Sequence, residues 1–484
     1  MIYIKWWNHI WQYINDIMAF VNLILFLFAF SIFNVGYVSC RNTKVNKEGM
    51  SFHVTDIDQL KNTQIFQVKE KSIYYLRDTI DLKGSIYKMP EGVRIVPKGG
   101  IIRNGTLYGN GTIINSQRCM FENIIIKGEW IVPKISTSLF SSLKRENDIK
   151  NVFALASSKI HNDIHIKKGH FLVSSESGEP SIKVIDNTNV QIDGVIELMP
   201  NALSNYSVLC VQGENIGISG SGAIIGDKDK HLGDNGEWGM GILFSRCRNV
   251  SLTGLTVSNC WGDCVYIGGH SCNIKIANCI FSNSRRQGVS ITSANGVRIS
   301  NCSIYNISGT PPGYAIDIEP NSNDSVCNVF VEKVTAQRCK GGLVANSVAK
   351  NAKVSSVVFS NCLLRELCGE IGIACLFTTD VTIRKCKIVN NRNCIQITDS
   401  HSVLIDNCSI IGIQNAIGIY TYNNKNVNVK NCVIKCERYA FREYISMTLA
   451  NNKIKCQDLF SSAKVDINEI ESNNKIHYCP VKVD

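Results

Sequence analysis

The segment IKIANCI (274–280) returns as VRISNCSI (297–304), VVFSNCL (357–363), VTIRKCKI (381–388), VLIDNCSI (403–410) and VNVKNCVI (427–434). In each copy apolar and polar residues alternate up to a two-residue break, Asn-Cys in five copies and Lys-Cys in the sixth, and then alternate again. Alternation with period two marks a strand with one buried face, whereas a helical solenoid would space its apolar residues by three and four. The aligned positions are Leu255, Cys279, Cys302, Val334, Cys362, Cys386, Cys408 and Cys432, at spacings of 24, 23, 32, 28, 24, 22 and 24 residues. Earlier copies put glycine at the break, as in NVQIDGVIEL (189–198) and NIGISGSGAII (215–225). A third short strand completes each copy: VYI (265–267), VSI (289–291), IDI (316–318), IQI (395–397) and IGI (417–419). Three short strands in every 20 to 25 residues predict an all-β chain, a single-stranded right-handed parallel β-helix of about ten or more coils.

Around this repeat the rest of the chain falls into place. Its 484 residues would allow several domains, but the repeat makes residues 91–460 one solenoid. Residues 40–90 are polar and mixed and read as an N-terminal lead-in; 461–484 break the frame and read as a C-terminal cap. Helical spacing without a turn glycine predicts a short N-terminal capping helix near 144–158, which would cover the solenoid's open edge. Met18 to Val38 carry no charge and are long enough to span a bilayer, so 1–39 read as a signal peptide or membrane anchor starting at Met1 or Met18. Ser39-Cys40 resembles the end of a bacterial lipoprotein signal, which makes Cys40 the lipidation candidate. The expected location is therefore outside the cytoplasm of a bacterium: cell surface, periplasm or outer-membrane lipoprotein.

A hydrophobic fraction of 44% excludes general disorder. The formal charge of +11 is a mild basic excess compatible with anionic partners such as acidic polysaccharide, nucleic acid or lipid headgroups; without a dense Lys/Arg run nucleic acid is not an expected partner, and the polysaccharide expectation rests on the site residues and the resemblance below. Membrane contact is expected only through the N-terminal segment or a lipid anchor; oligomeric state stays open. The 21 cysteines look like a disulfide scaffold until they are aligned. One residue type at one inward turn position forms a ladder, and coils about 4.8 Å apart sit a little too far from one another for disulfide geometry. Free, buried, inert thiols are expected, with the preceding asparagines hydrogen-bonding the turn backbone.

Aligning the third strands, GDCVYIG (262–268), QGVSIT (287–292) and YAIDIE (314–319), puts Val265/Ile267, Val289/Ile291 and Ile316/Ile318 inward. Tyr266, Ser290 and Asp317 then share one outward row, and Gly268, Thr292 and Glu319 another; Asp263, Gln287 and Tyr314 share the strand entrance. Asp263, Asp317 and Glu319 can split into general acid and general base if their surroundings separate their pKa values, and Arg286 can bind an anion or stabilise an enolate. These four are the catalytic candidates. Arg285, Gln287, Tyr266, His270, Tyr314, Trp238 and Trp261 are the substrate-binding candidates, the arginines for acidic groups and the tryptophans for stacking on sugar rings. Two insertions, 227–240 and 308–314, flank these coils. No metal site is assigned: Cys264, His270 and Cys272 are explained by the ladder, and Asp227, Asp229, Asp234 and Glu237, with oxygen ligands suited to calcium, lack the EF-hand frame.

Across residues 145–456 the chain resembles the pectate-lyase-like β-helix superfamily, which takes in pectate lyases, polygalacturonases and phage tailspikes. GDCVYI (262–267) is similar to a polygalacturonase segment and places Asp263 at its second aspartate, with Gly262 at the first. RQGVSI (286–291) has Gln287 where that family has histidine, and its Arg-Ile-Lys segment is missing. The resemblance implies an exported carbohydrate-active protein that cleaves a polysaccharide, acidic ones included, by hydrolase or lyase chemistry. The alternative is a non-catalytic glycan-binding or structural β-helix such as an adhesin or tailspike-like fibre.

Overall fold

The computed structural model describes residues 51–54, 73–369, 371–390, 392–442, 447–461, 470 and 472–478. The apolar segment 18–38 and Cys40 lie outside the described residues, and so does part of the C-terminal cap. Among the described residues no helix is long and apolar enough to cross a membrane.

From residue 162 onward the chain is a parallel β-solenoid with three faces. One face carries the cleft described below and contains Val265–Gly268, Val289–Ile291, Tyr314–Ile318, Gly341–Asn346, Ile373–Leu376, Ile395–Thr398 and Ile419–Tyr422. The second face holds the first half of the repeat, from Ser271–Ala277 to Met447–Ala450. The third is a 13-stranded parallel sheet that runs from His170–Val173 to Lys475–Tyr478. Successive copies pair without slippage, as in Val297↔Val329 and Val329↔Val357. Inward residues such as Val265, Ile267, Ile291, Ile316 and Ile397 are completely buried. A one-residue slip would turn every one of them outward, so the alternation itself fixes the register.

The Asn-Cys break is a corner. Asn278, Asn301, Asn361, Asn407 and Asn431 have φ between 53 and 57°, the left-handed region that asparagine tolerates better than other residues with a Cβ. A second left-handed corner opens the repeat at Asn249, Asn273, Asn328 and Asn426, and there the amides stack: Asn273 Nδ2 donates to Asn249 Oδ1 at 2.7 Å. The side chains before the cysteines do not share one backbone partner; Asn259 reaches Gly226 O, whereas Asn431 reaches Asp406. Backbone conformation is therefore what asparagine contributes at the Asn-Cys corner.

All 19 described cysteines are free, and the ladder members are buried. Each ladder thiol donates to the carbonyl two residues earlier, for example Cys279 Sγ to Ala277 O at 3.2 Å and Cys432 Sγ to Lys430 O at 3.2 Å. Cysteine thus fills the corner and also supplies a weak donor there. Elsewhere in the core, burial pushes the Cys339, Cys375 and Cys436 thiols up to about 12, so they stay protonated and unreactive.

Two boundaries differ from expectation. The helix expected over 144–158 is a single α-turn, Lys150–Phe153, entered after a left-handed Asn147 (φ 65°) whose side chain is tied to Ser174. Val152 and Phe153 provide its buried contacts, and irregular backbone fills the rest of that stretch. Parallel pairing also starts inside the lead-in, where Ile73–Leu76 pairs with Arg94–Pro97.

Candidate functional site

Three strands lie side by side with Val265↔Val289↔Ile316, Tyr266↔Ser290↔Asp317 and Ile267↔Ile291↔Ile318. The first and third rows are core, so Tyr266, Ser290 and Asp317 must face outward. Just before these strands the chain places Asp263, Gln287 and Tyr314 at the same edge, and a buried hydrogen-bond relay joins them. Gln287 N donates to Asp263 Oδ1 (3.0 Å) and Ser290 Oγ donates to Asp263 Oδ2 (2.8 Å). Gln287 Nε2 donates to Asp317 Oδ2 (2.7 Å), and Gln287 Oε1 accepts from Tyr314 N (2.6 Å).

Asp263 has no exposed surface and both its oxygens are engaged, so it lies beneath the cleft and does not line it. Burial raises its pKa to about 6, against the opposing charge of Arg286 and the bonds from Ser290 and Gln287. Asp317 is raised well above the ordinary carboxylate range, first by burial and then by the negative charges of Glu319 and Asp263, with Arg286 opposing. Its carboxyl is thus a better proton holder than an ordinary aspartate, and it lines a cleft of about 380 Å³.

Tyr266, Arg286, Ser290, Thr292 and Glu319 line the same cleft from the coils, while Glu237 and Trp238 wall it from the 227–240 insertion. Glu319 Oε1 is held by Asn346 Nδ2 at 2.7 Å. Arg286 faces Glu237, its Nε 3.5 Å from Oε2, and that buried Nε has no hydrogen bond. Thr292 Oγ1 donates to the Tyr266 hydroxyl at 2.8 Å.

The insertion is clamped by a stack of planar groups. His231 lies on Trp261 with ring centroids 4.0 Å apart, and the Arg285 guanidinium lies 3.7 Å from the same ring centre. Two groups that close to one ring centre must occupy opposite faces. Arg285 NH1 then donates to Gly236 O (2.7 Å) and Trp261 Nε1 to Asn235 O (3.3 Å), the two carbonyls immediately before Glu237 and Trp238. Asp227 anchors the base of the insertion by accepting from the Tyr206 hydroxyl (2.6 Å), from Asn201 and from His231 Nδ1 (2.9 Å). Lys228 Nζ donates to Ser308 O, which joins the two insertions.

This geometry sorts the sequence candidates. Asp317, Glu319, Arg286, Tyr266 and Trp238 meet at the cleft, with Asp263 and Gln287 in the layer beneath. Trp261 is not a sugar platform, because His231 and Arg285 cover both its faces; Arg285 is spent on that stack and on Gly236. Tyr314 is buried in a small cluster with Val344 and Ala374, offering its backbone and not its ring to the site. His270 stands at a left-handed corner on the solenoid's outside, 83% exposed and bonded to Ser293, and does not line the cleft. Asp227 turns inward while Glu237 turns to Arg286, so the acidic loop does not gather around a calcium ion. Among the described residues no group of three His, Cys, Asp or Glu side chains is placed to hold a metal. Sequence reading missed Glu237 as a cleft wall and Asn346 as the holder of Glu319; only the length of the insertion pointed to the first.

The chain matches the family described as the right handed beta helix region over residues 161–325, 240–364 and 314–478. It belongs to that family. The β-helix is 30% identical over 201 residues to the uncharacterised protein YclG of Bacillus subtilis (strain 168), a match covering 35% of this chain and 34% of the relative. It is 25% identical over 324 residues to the SPbeta prophage-derived uncharacterised protein YorA of the same organism, covering 56% and 53%. The chain thus spans about a third and about half of the lengths of these curated relatives. Among solved structures it is similar to the A-modules of two mannuronan C-5 epimerases of Azotobacter vinelandii, AlgE6 and AlgE4. The TM-scores are 0.55 and 0.54 at 14% and 12% identity, covering 69% and 68% of this chain and 95% of each module. Identities that low carry the β-helix fold and leave the chemistry to the residues.

Proposed function

We propose that this β-helix binds a polysaccharide across the three-coil cleft and hydrolyses a glycosidic bond there, with Asp317 as general acid. The observation that carries the reading is a carboxyl whose pKa is pushed well above the ordinary range by burial and by its neighbours' charge, lodged against Gln287, and open to a cleft that also holds Glu319. Asp317 gives its proton to the leaving oxygen, and Glu319 takes one from the attacking water. Residues two apart on one strand face are separated by about 7 Å, nearer the spacing of inverting glycosidases than of retaining ones. A polysaccharide substrate is in keeping with the structurally similar modules, which are named for mannuronan.

The cleft favours hydrolysis over elimination. A lyase must neutralise the substrate's own carboxylate before a proton can leave the neighbouring carbon. Here Glu237, Asp317 and Glu319 surround Arg286, which already faces Glu237. A neutral or amino sugar fits this balance better than a uronate. Export through the 18–38 segment, with Cys40 as the lipidated residue, belongs to the same proposal, since such polymers lie outside the cell.

The test incubates wild type and Asp317→Asn with neutral, amino and acidic glycans while following reducing ends and the ultraviolet absorbance of unsaturated products. The expected result is reducing ends without absorbance, reduced by roughly 10²- to 10⁴-fold in the variant. Absorbance would replace the hydrolase with a lyase. No product from any glycan, or a fully active variant, would refute the catalytic reading.

A further inference from the structure

No run of basic residues exists in the sequence, yet the solenoid assembles one. On the third sheet, near its C-terminal end, one outward row reads Lys387↔Ser409↔Val433↔Lys453↔Lys475. The row beside it reads Ile411↔Lys435↔Lys455↔His477. All five lysines are exposed, and the alternating Ile388, Ile410, Ile434 and Ile454 are buried beneath them. Residues 88 positions apart in the chain are thereby stacked within four coil steps, roughly 19 Å.

None of the five lysines takes part in an ion pair among the described residues. Lys453 and Lys475 are direct neighbours across the ladder, as are Lys435 and Lys455, and like charges directly opposite one another destabilise a sheet. The N-terminal end of the same sheet handles charge differently: Glu197 accepts from His170 (2.7 Å) and from Lys230 (3.2 Å). Repulsion left standing at one end only is the arrangement an incoming anion would relieve.

The shape narrows the class of anion. The strands here are only four residues long, so the basic strip is about 7 Å wide. Carboxylates bound it on both sides, Asp406 at the corner that leads into the sheet and Glu437 and Asp458 just beyond it. A broad plane of anionic headgroups would meet those carboxylates, whereas a single chain laid along the solenoid axis avoids them. Recognition here is by charge. We propose that this strip docks a linear polyanionic polysaccharide, on a different sheet from the cleft and independently of it.

The test measures binding of the full chain to dextran sulfate and, in parallel, to vesicles of phosphatidylglycerol in phosphatidylcholine. Wild type should bind dextran sulfate with an affinity that falls roughly a hundredfold between about 50 and 200 mM salt, as expected for about four displaced counterions. The triple substitution Lys453→Gln, Lys455→Gln, Lys475→Gln should weaken binding at least about tenfold without lowering the melting temperature, while Asp317→Asn leaves binding unchanged. Unaltered binding by the triple variant would overturn the proposal, and so would attachment to the vesicles but not to dextran sulfate.

Discussion

Two stretches of one sheet differ only in what they show to solvent. In the cleft coils the outward row is Tyr266, Ser290 and Asp317; further along the same sheet it is Gln396, Tyr420 and Arg442. Inward, the cleft coils present isoleucines and valines and the later coils Ile395, Ile397, Ile419 and Phe441, all with no exposed surface. The core therefore holds the coils together whatever stands outside, and the outward row is free to vary. The cleft coils lie beneath the two insertions and bury the carboxyls Asp263 and Asp317, at the cost of leaving water, whereas the later stretch has no buried carboxyl among the described residues. That contrast is the physical reason to place function on these three coils.

Substitution at matched positions should break the comparison most sharply. Asp317→Asn should cost roughly 10²- to 10⁴-fold in glycan cleavage, whereas Gln396→Ala, at the corresponding outward position three coils on, should leave turnover within about twofold. Equal effects would erase the distinction. The next largest effect is on stability against pH. The folded pKa of Asp263, about 6, lies above its ordinary 3.8, so folding binds the proton more tightly; the stability this gives is complete below about pH 4 and lost as pH rises through 6. Asp263→Asn should remove that slope, worth about 3 kcal/mol, as read from melting temperatures across the interval. Buried-core substitutions should show no such contrast: Ile291→Ala and Ile397→Ala should each cost about 2–5 kcal/mol in denaturant titrations.

A smaller effect should follow from Trp261→Leu, which removes the ring between His231 and Arg285. Roughly tenfold lower kcat/KM is expected, with faster proteolysis within 232–238 and an unchanged core melting temperature. Trp261→Phe should restore part of the loss. The smallest effect belongs to the corners. Asn407→Ala should cost about 1–2 kcal/mol because alanine resists the left-handed backbone, and Asn407→Gly should cost less.

What could be read from the chain follows what repeats. Every inward residue of the aligned strands was legible, because period two and period 24 together leave one register, and so were the outward rows containing Asp317 and Glu319. Burial depth was not. Asp263 and Asp317 looked like surface carboxylates until the relay through Gln287 placed them inside. Trp261 and Arg285 were misread for another reason: their partners, His231 and Gly236, sit in an insertion that obeys no period. The lysine strip was hidden because its members are neighbours only through coil stacking, and the capping helix shrank because Asn147 breaks it at its start.

The most direct measurement is a carboxyl carbon NMR titration of Asp317 in the full chain, assigned by comparison with Asp317→Asn. The account predicts a midpoint well above the ordinary 3.8, because burial, Glu319 and Asp263 all oppose its charge. A midpoint near the ordinary value of 3.8 would make the three coils a solvated charge network and would contradict the acid–base cleft.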